Sequence, residues 1–163
     1  MPLLTVLIPV YNEVKTIREI IAKINAVGID KEMIVVDNYS TDGTRDVLQE
    51  ILKRKEFPAI KVIYHSYNKG KGAAVREGMQ EASSELVVIQ DADLEYNPQD
   101  YLLLMQPILE NRADIVLGAR FTSGYRGLAV HRWGNKFLTG LINSLFGVSL
   151  NDYATCYKMA RKS

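Results

Sequence analysis

One cysteine in 163 residues, Cys156, rules out an internal disulfide and fits a reducing compartment. With no zinc cluster and no histidine partner near it, it reads as a packed thiol rather than a nucleophile. Only two histidines are present, His65 and His131. Neither has an acid partner at an informative spacing, so both read as ordinary residues. No apolar run approaches the ~20 residues that span a bilayer. Met1-Pro-Leu-Leu leads straight into a strand without a charged leader, so no signal peptide is expected and a cytoplasmic location follows, with membrane contact confined to a surface. Charge excess is missing too. Twenty Lys and Arg stand against 19 Asp and Glu, a net of +1, which gives no whole-protein argument for nucleic acid and makes any anion binding local. The first strand is not followed by G-x-G-x-x-G, which excludes a nicotinamide site. The glycines at 70 and 72 do not complete G-x-x-x-x-G-K-[ST], which excludes a P-loop.

What remains is 47% apolar residues in a regular order, enough for one globular domain with a real core. Leu3 to Val10, Met33 to Val36, Ile60 to His65, Leu86 to Ile89 and Ile115 to Leu117 read as buried strands. Between them fall helical patterns: Asn12 as N-cap before Ile17, Ile20, Ile21 and Ile24, with Gly28 as stop; Val47, Leu48, Ile51 and Leu52; and a helix with small residues at Ala73, Ala74, Gly78 and Ala82. Asn97-Pro98 opens a fourth helix. Residues 122–127 read as a loop; a helix resumes near His131 and stops at Gly147, its apolar face of Leu138, Leu141, Ile142, Leu145 and Phe146 core rather than membrane-facing; and 152–160 read as one more strand or an extended edge. Alternating strands and helices imply an α/β fold, a mostly parallel sheet covered on both faces. Ligands in such sheets sit outside the carboxyl ends of the strands.

Charged residues gather at those ends. Leu86 to Ile89 runs into Asp91-Ala-Asp93-Leu-Glu95. If extended backbone persists, the alternate acids share a side, and oxygen-only ligands of this kind suit Mg²⁺ or Mn²⁺ carrying a substrate's phosphates. Pro9 turns the first strand out of the sheet and leaves Tyr11 to flank a base and Glu13 to take ribose hydroxyls, although Asn12 and Glu13 also serve as an ordinary helix start. Asp37 resembles the acid that dinucleotide folds set on a ribose. Lys69 to Gly72 reads as a tight turn into a closely packed helix, with a lysine in reach of a phosphate as the minor reading. Arg120 and Arg132 are phosphate-type arginines.

Taken in order, Val6 to Glu13, Val35 to Thr44, Asn68 to Val75, Gln90 to Tyr96, Gly118 to Phe121, Gly134 to Leu138 and Asp152 to Lys158 resemble glycosyltransferase family 2, closest to its dolichol-phosphate mannose synthase and polyprenyl-phosphate branch. The resemblance implies a GT-A type, Rossmann-like α/β/α sandwich. It implies an inverting transfer from a nucleoside-diphosphate sugar to a polyprenyl phosphate. Pro9, Tyr11, Glu13, Asp37, Asn38, Asp91 and Ala92 would line the donor. Asp91, Asp93 and Glu95 would hold the metal, and Asp93, Arg120, Arg132 and Asp152 would serve catalysis. Residues 1–96 would form the donor and metal half and 97–163 the acceptor half. Two departures stand out. Asp37-Asn38-Tyr39 replaces the usual Asp-Asp-Gly, and the resembled domain continues past Ser163, which leaves a trimmed and a naturally short form both open. A nucleotide-sugar binding module without turnover, and transfer to a glycan or protein hydroxyl, remain as alternatives. A sugar nucleotidyltransferase would open with a glycine-rich basic loop, absent between Pro9 and Glu13.

Overall fold

The computed structural model describes residues 1–118 and 155–162. Four of the apolar runs form parallel strands, β1 (Leu4–Val10), β2 (Lys31–Asp37), β3 (Ile60–Tyr64) and β4 (Leu86–Ile89). Their β-branched content suits a pleated, doubly covered sheet. The crossovers are α1 (Ile17–Asn25), α2 (Thr44–Arg54) and α3 (Lys71–Glu81). A single 3-10 turn at Pro98–Asp100, capped by the Asn97 side chain on Gln99 N at 3.2 Å, leads into α4 (Tyr101–Leu109). With β5 (Ile115–Leu117) and β6 (Lys158–Arg161) the sheet has the order β3-β2-β1-β4-β6-β5. β6 runs antiparallel to both β4 and β5 and sits between them, so the late strand is internal.

Strand alternation divides the core. Val6, Ile8, Val10, Met33 and Val35 face the side covered by Ile17, Ile20, Ile21 and Ile24 of α1 and by Tyr101, Met105 and Ile108 of α4. Leu7, Ile34, Val36 and Val87 face the other side, against Ala74 and Ala82 of the α3 segment. Each such aliphatic side chain contributes about 1.5–3 kcal/mol on burial. The small residues of α3 let it lie close. A Cβ on Gly78 would stand 3.0 Å from Leu7 Cδ2 and 3.4 Å from Val36 Cγ2.

The order of the sheet fixes where a ligand can enter. From β1 the chain steps to β2 and β3 on one side, then returns to place β4 on the other. The crossovers leaving β1 and β4 diverge there and open a crevice at their carboxyl ends.

Two local expectations are corrected. Asn12 is not the N-cap of α1. That helix begins at Ile17 after Thr16, while Asn12 takes a left-handed φ of 57° and ties the first loop to the second. Its N–H donates to Ser40 Oγ at 2.9 Å and its Oδ1 accepts from Thr41 N at 2.8 Å. Asparagine tolerates that backbone, and two long-range bonds outweigh one local cap. The extended backbone of β4 also stops at Ile89. The Asp93 carboxylate accepts from Glu95 N at 3.0 Å and Leu94 has φ 64°, so the acids lie on a turn instead of a continuing strand.

Candidate active site

The crevice is a cavity of about 370 Å³, within the range of small-ligand sites. One wall comes from the end of β1: Pro9, Val10, Tyr11 and Glu13. The facing wall is the turn after β4, Asp91, Ala92 and Asp93, and the floor includes Asn38, Asn68 and Lys71. An adjoining cavity of about 190 Å³ shares Asp91 and Lys71 and adds Glu95, Thr155 and Lys158.

Each wall is anchored by its own sequence. Glu13 is held at the cavity mouth because its N–H donates to Thr44 Oγ1 at 2.9 Å and its carboxylate accepts from Thr16 Oγ1 at 2.7 Å. Asp42 braces the same junction, accepting from Val14 N at 3.1 Å and from Thr44 N at 3.0 Å. Burial opposes the charge on Asp42, but these hydrogen bonds outweigh it and hold the carboxyl below its ordinary range. Tyr11 remains half exposed beside the opening.

Asp37 behaves differently from the expectation that it faces ribose. It is fully buried, and its carboxylate takes Arg45 Nε at 2.5 Å and the Ser40 N–H at 3.2 and 3.3 Å. It is not among the residues lining the cavity. The reason is register. Asp37 is the last residue of β2, paired with both Val10 and Tyr64, so its side chain enters the protein while the next residue reaches the crevice. Arg45 completes this anchor by donating to the His65 carbonyl and lying over Tyr39 and Tyr64.

The acid wall is braced from behind by residues that sequence reading missed. Gln90 is fully buried. Its Oε1 accepts from Tyr101 OH at 2.7 Å and Tyr157 OH at 2.8 Å, and its Nε2 donates to the Asp91 carbonyl at 2.9 Å. Desolvation raises both phenol pKa values and keeps them as donors. The partners lie 11 and 67 residues from Gln90, beyond any local pattern.

In front, Lys71 Nζ contacts Asp91 Oδ1 at 2.5 Å. Burial works against the lysine's charge, but the hydrogen bond and attraction of Asp91 outweigh it and raise its pKa. Cys156 sits beside this pair. Burial first, then the Asp91 charge, pushes its thiol up to about 12. The acids around these cavities offer oxygen ligands, which suit a hard divalent cation. Asp91 and Asp93 reach the main cavity and Glu95 the adjoining one. Among the described residues no three acid, histidine or cysteine side chains form one metal-binding group. Arg120, Arg132 and Asp152 lie outside the described residues.

The sequence model described as Glycosyl transferase family 2 matches residues 5–163. Over 122 residues the chain is 38% identical to a dolichol-phosphate mannosyltransferase of Pyrococcus furiosus, covering 74% of this chain and 34% of that protein. Over 163 residues it is 29% identical to an undecaprenyl-phosphate 4-deoxy-4-formamido-L-arabinose transferase of Pseudomonas syringae, covering 98% of this chain and 47% of the relative. The chain thus spans about a third to a half of these relatives. A mannosyltransferase of Pyrobaculum calidifontis, solved in complex with GDP-Man and Mn²⁺, superposes with a TM-score of 0.56 at 32% identity, over 62% of this chain and 30% of that one. A glucosyl-3-phosphoglycerate synthase of Mycobacterium tuberculosis gives 0.73 over 99% of this chain and 56% of that one at 23% identity, a likeness of fold. The mostly parallel sheet, the crevice at its switch point and the ordered motifs are those of a GT-A glycosyltransferase, and the chain belongs to glycosyltransferase family 2.

Proposed function

We propose that the chain is the catalytic domain of an inverting glycosyltransferase that moves a sugar from a nucleoside-diphosphate sugar to a polyprenyl phosphate. One observation carries this reading. A single cavity joins the β1 end, with an aromatic and an acid, and a floor that includes Asn38, to two carboxylate residues 80 residues further on. Tyr11 flanks the base, Glu13 takes ribose hydroxyls and Asn38 meets the base edge. Residues 1–96 supply this half, and 97–163 belong to the acceptor half.

Asp91 and Asp93 would hold Mg²⁺ or Mn²⁺, which when bound neutralises charge on the diphosphate. The protein's own groups do the rest. Lys71 moves from Asp91 onto a phosphate oxygen and stays charged there. The Gln90 network holds the Asp91 backbone still, so no reorganisation is needed as charge develops. An acceptor phosphate oxygen forms the new bond to the anomeric carbon from the face opposite the leaving group. The bond to the diphosphate oxygen breaks, and the electron pair leaves with the nucleoside diphosphate. A phosphate acceptor is already ionised near neutral pH, so no general base is needed. Arg120 and Arg132 would serve donor and acceptor phosphates and Asp152 the acceptor side.

The names of the relatives support a lipid-phosphate acceptor. No helix among the described residues is long and apolar enough to cross a membrane. In this reading the catalytic domain works on the cytoplasmic side and meets the lipid headgroup at the membrane surface. The test is incubation with Mn²⁺ or Mg²⁺, a panel of nucleotide sugars and polyprenyl phosphate. A lipid-linked sugar is the expected product. Donor binding without acceptor-dependent release of nucleoside diphosphate would instead support a binding module.

A further inference from the structure

His65, the residue after β3, is 2% exposed and packs against Asn38 of the cavity floor. The Asn38 carboxamide has a fixed sense. The Lys69 N–H donates to its Oδ1 at 2.8 Å, and its Nδ2 donates to Asn68 Oδ1 at 2.7 Å, an oxygen that also takes the Gly70 N–H at 2.9 Å. Only an oxygen accepts from Lys69, so the Asn38 atom that meets the ring is an acceptor. His65 Nδ1 lies 2.9 Å from it and therefore carries a hydrogen. The other ring nitrogen, Nε2, lies 2.8 Å from Glu77 Oε2 on α3. The bond to His65 outweighs burial and, with the Lys69 charge, holds the Glu77 carboxyl below its ordinary range, so Glu77 is ionised and Nε2 carries a hydrogen too. A ring with both nitrogens bonded to acceptors is an imidazolium. Its acid partner stands 12 residues away, a separation that carries no signal in the sequence. The other charges around the ring are paired. Lys69 lies 3.6 Å from Glu77, and Arg45 of α2 donates to the His65 carbonyl while bonded to Asp37 at the end of β2.

We propose that His65 is a positioning residue that works as an imidazolium, clamping the cavity floor to α3, and that loss of its proton releases the floor and lowers nucleoside-diphosphate affinity. The inference rests on reading this cavity as a nucleoside-diphosphate-sugar site. A neutral ring has one N–H and one lone pair, so one of its two contacts must fail. The bond to an ionised carboxylate is charge-assisted and stronger than one to an amide oxygen, so the hydrogen stays on Nε2. Nδ1 then turns a lone pair on Asn38 Oδ1. The carboxamide cannot answer by turning over, because its Nδ2 would meet the Lys69 N–H. The floor has to shift, and Asn68, Gly70 and Lys71, which line the same cavity, are tied to it through the Asn68 and Lys69 bonds. A glutamine at 77 changes this logic. Its amide oxygen accepts from the charged ring, and its amide N–H donates to Nε2 of a neutral one, which leaves the remaining hydrogen on Nδ1. The contact with Asn38 then persists in both states of the ring.

Nitrogen NMR of the His65 ring locates the pH at which it changes charge. Calorimetry then measures Kd for UDP and GDP with Mg²⁺ at one pH below and one above that transition, in wild type, Glu77→Gln and His65→Gln. A thermal melt reports whether each variant folds, and the nucleotide's own titration is common to all three proteins. Wild type should show both ring nitrogens protonated below the transition and the hydrogen on Nε2 above it. Across it, affinity should fall about threefold or more relative to Glu77→Gln, a fraction of what one charge-assisted hydrogen bond is worth. In Glu77→Gln the neutral ring should keep its hydrogen on Nδ1. His65→Gln has no ring to titrate, and its flat response decides the matter if Glu77→Gln does not fold. A ring without a transition, or the same loss of affinity in the folded variants as in wild type, would overturn the inference and leave the site reading intact. No binding of UDP or GDP to wild type at either pH would overturn the site reading and the inference together.

Discussion

The support beneath the cavity floor at the β2 end, its base side, and the acid wall at the β4 end are built on opposite plans. At the β2 end Asn38 is bonded to His65 and Asn68, Asp37 beside it holds Arg45 and the Ser40 N–H, and Asp37, Asn38 and His65 are almost wholly buried. At the β4 end the acids stand on a turn, braced only from behind by Gln90, with Lys71 as a counter-charge that is itself 56% exposed. The first plan suits reading a fixed shape, because a group held by several partners cannot re-aim. The second suits binding events that exchange one positive partner for another. Perturbing the acid wall should cost function and spare the fold; perturbing the base wall should cost the fold first.

The largest expected effect tests the acid wall. Asp93→Ala removes a cavity carboxylate whose intramolecular bond is a single turn contact. Transfer should fall on the order of 10²–10³-fold, the scale for losing one electrostatic element of a transition-state site. The metal-dependent part of the thermal shift by a nucleoside diphosphate should vanish, while the melting temperature of the free protein changes little. A large drop in that melting temperature would erase the contrast between the walls.

Asp37→Ala tests the other plan. It strands Arg45 and the Ser40 N–H around a buried site, and breaking a buried ion pair from one side costs about 3–5 kcal/mol. Chemical denaturation should show that loss. Retained stability with lost nucleotide binding would return Asp37 to the ligand-contacting role that the sequence suggested.

That suggestion shows where sequence reading succeeds and stops. Strands, helices and the gathering of charge at strand ends were legible because period and order are local properties. So was the close packing of α3, from its small residues. Both Asp37 and Asn38 were read as donor-lining, and of the two only Asn38 lines the cavity, because register turns the Asp37 side chain into the protein. Asn12 was misassigned because its partners, Ser40 and Thr41, come from another loop. Gln90 looked like any polar residue after a strand, since its tyrosine partners are brought to it only by the fold.

A smaller effect tests the layer that carries both walls. Gly78→Ala places a methyl 3.0 Å from a Leu7 methyl, which must shift. Overpacking costs about 1–3 kcal/mol, offset by roughly 1 kcal/mol of helix propensity gained on replacing glycine, so a net loss shows that Leu7 does not give way. Because α3 opens at Lys71 and carries Glu77, both walls should feel the shift, and a loss of stability without any change in nucleotide affinity would mean that α3 does not couple them.

The smallest expected effect is at Lys71. Its pair with Asp91 is partly exposed, so its share of folding stability is at most ~1 kcal/mol. The lysine pKa is raised in the folded state, so that share is fully present below the ordinary value of 10.5 and fades as pH rises through the folded-state pKa. Lys71→Met should therefore leave stability near neutral pH almost unchanged. Its signature is in binding. Mn²⁺ alone no longer competes with an ammonium on Asp91 and should bind several-fold more tightly, on the order of the modest worth of such a pair. A nucleoside diphosphate with Mn²⁺ loses a phosphate contact and should bind more weakly. Opposite signs for the two ligands would establish that Lys71 exchanges partners on loading; weakening of both would make it a fixed part of the wall, as rigid as Asn38.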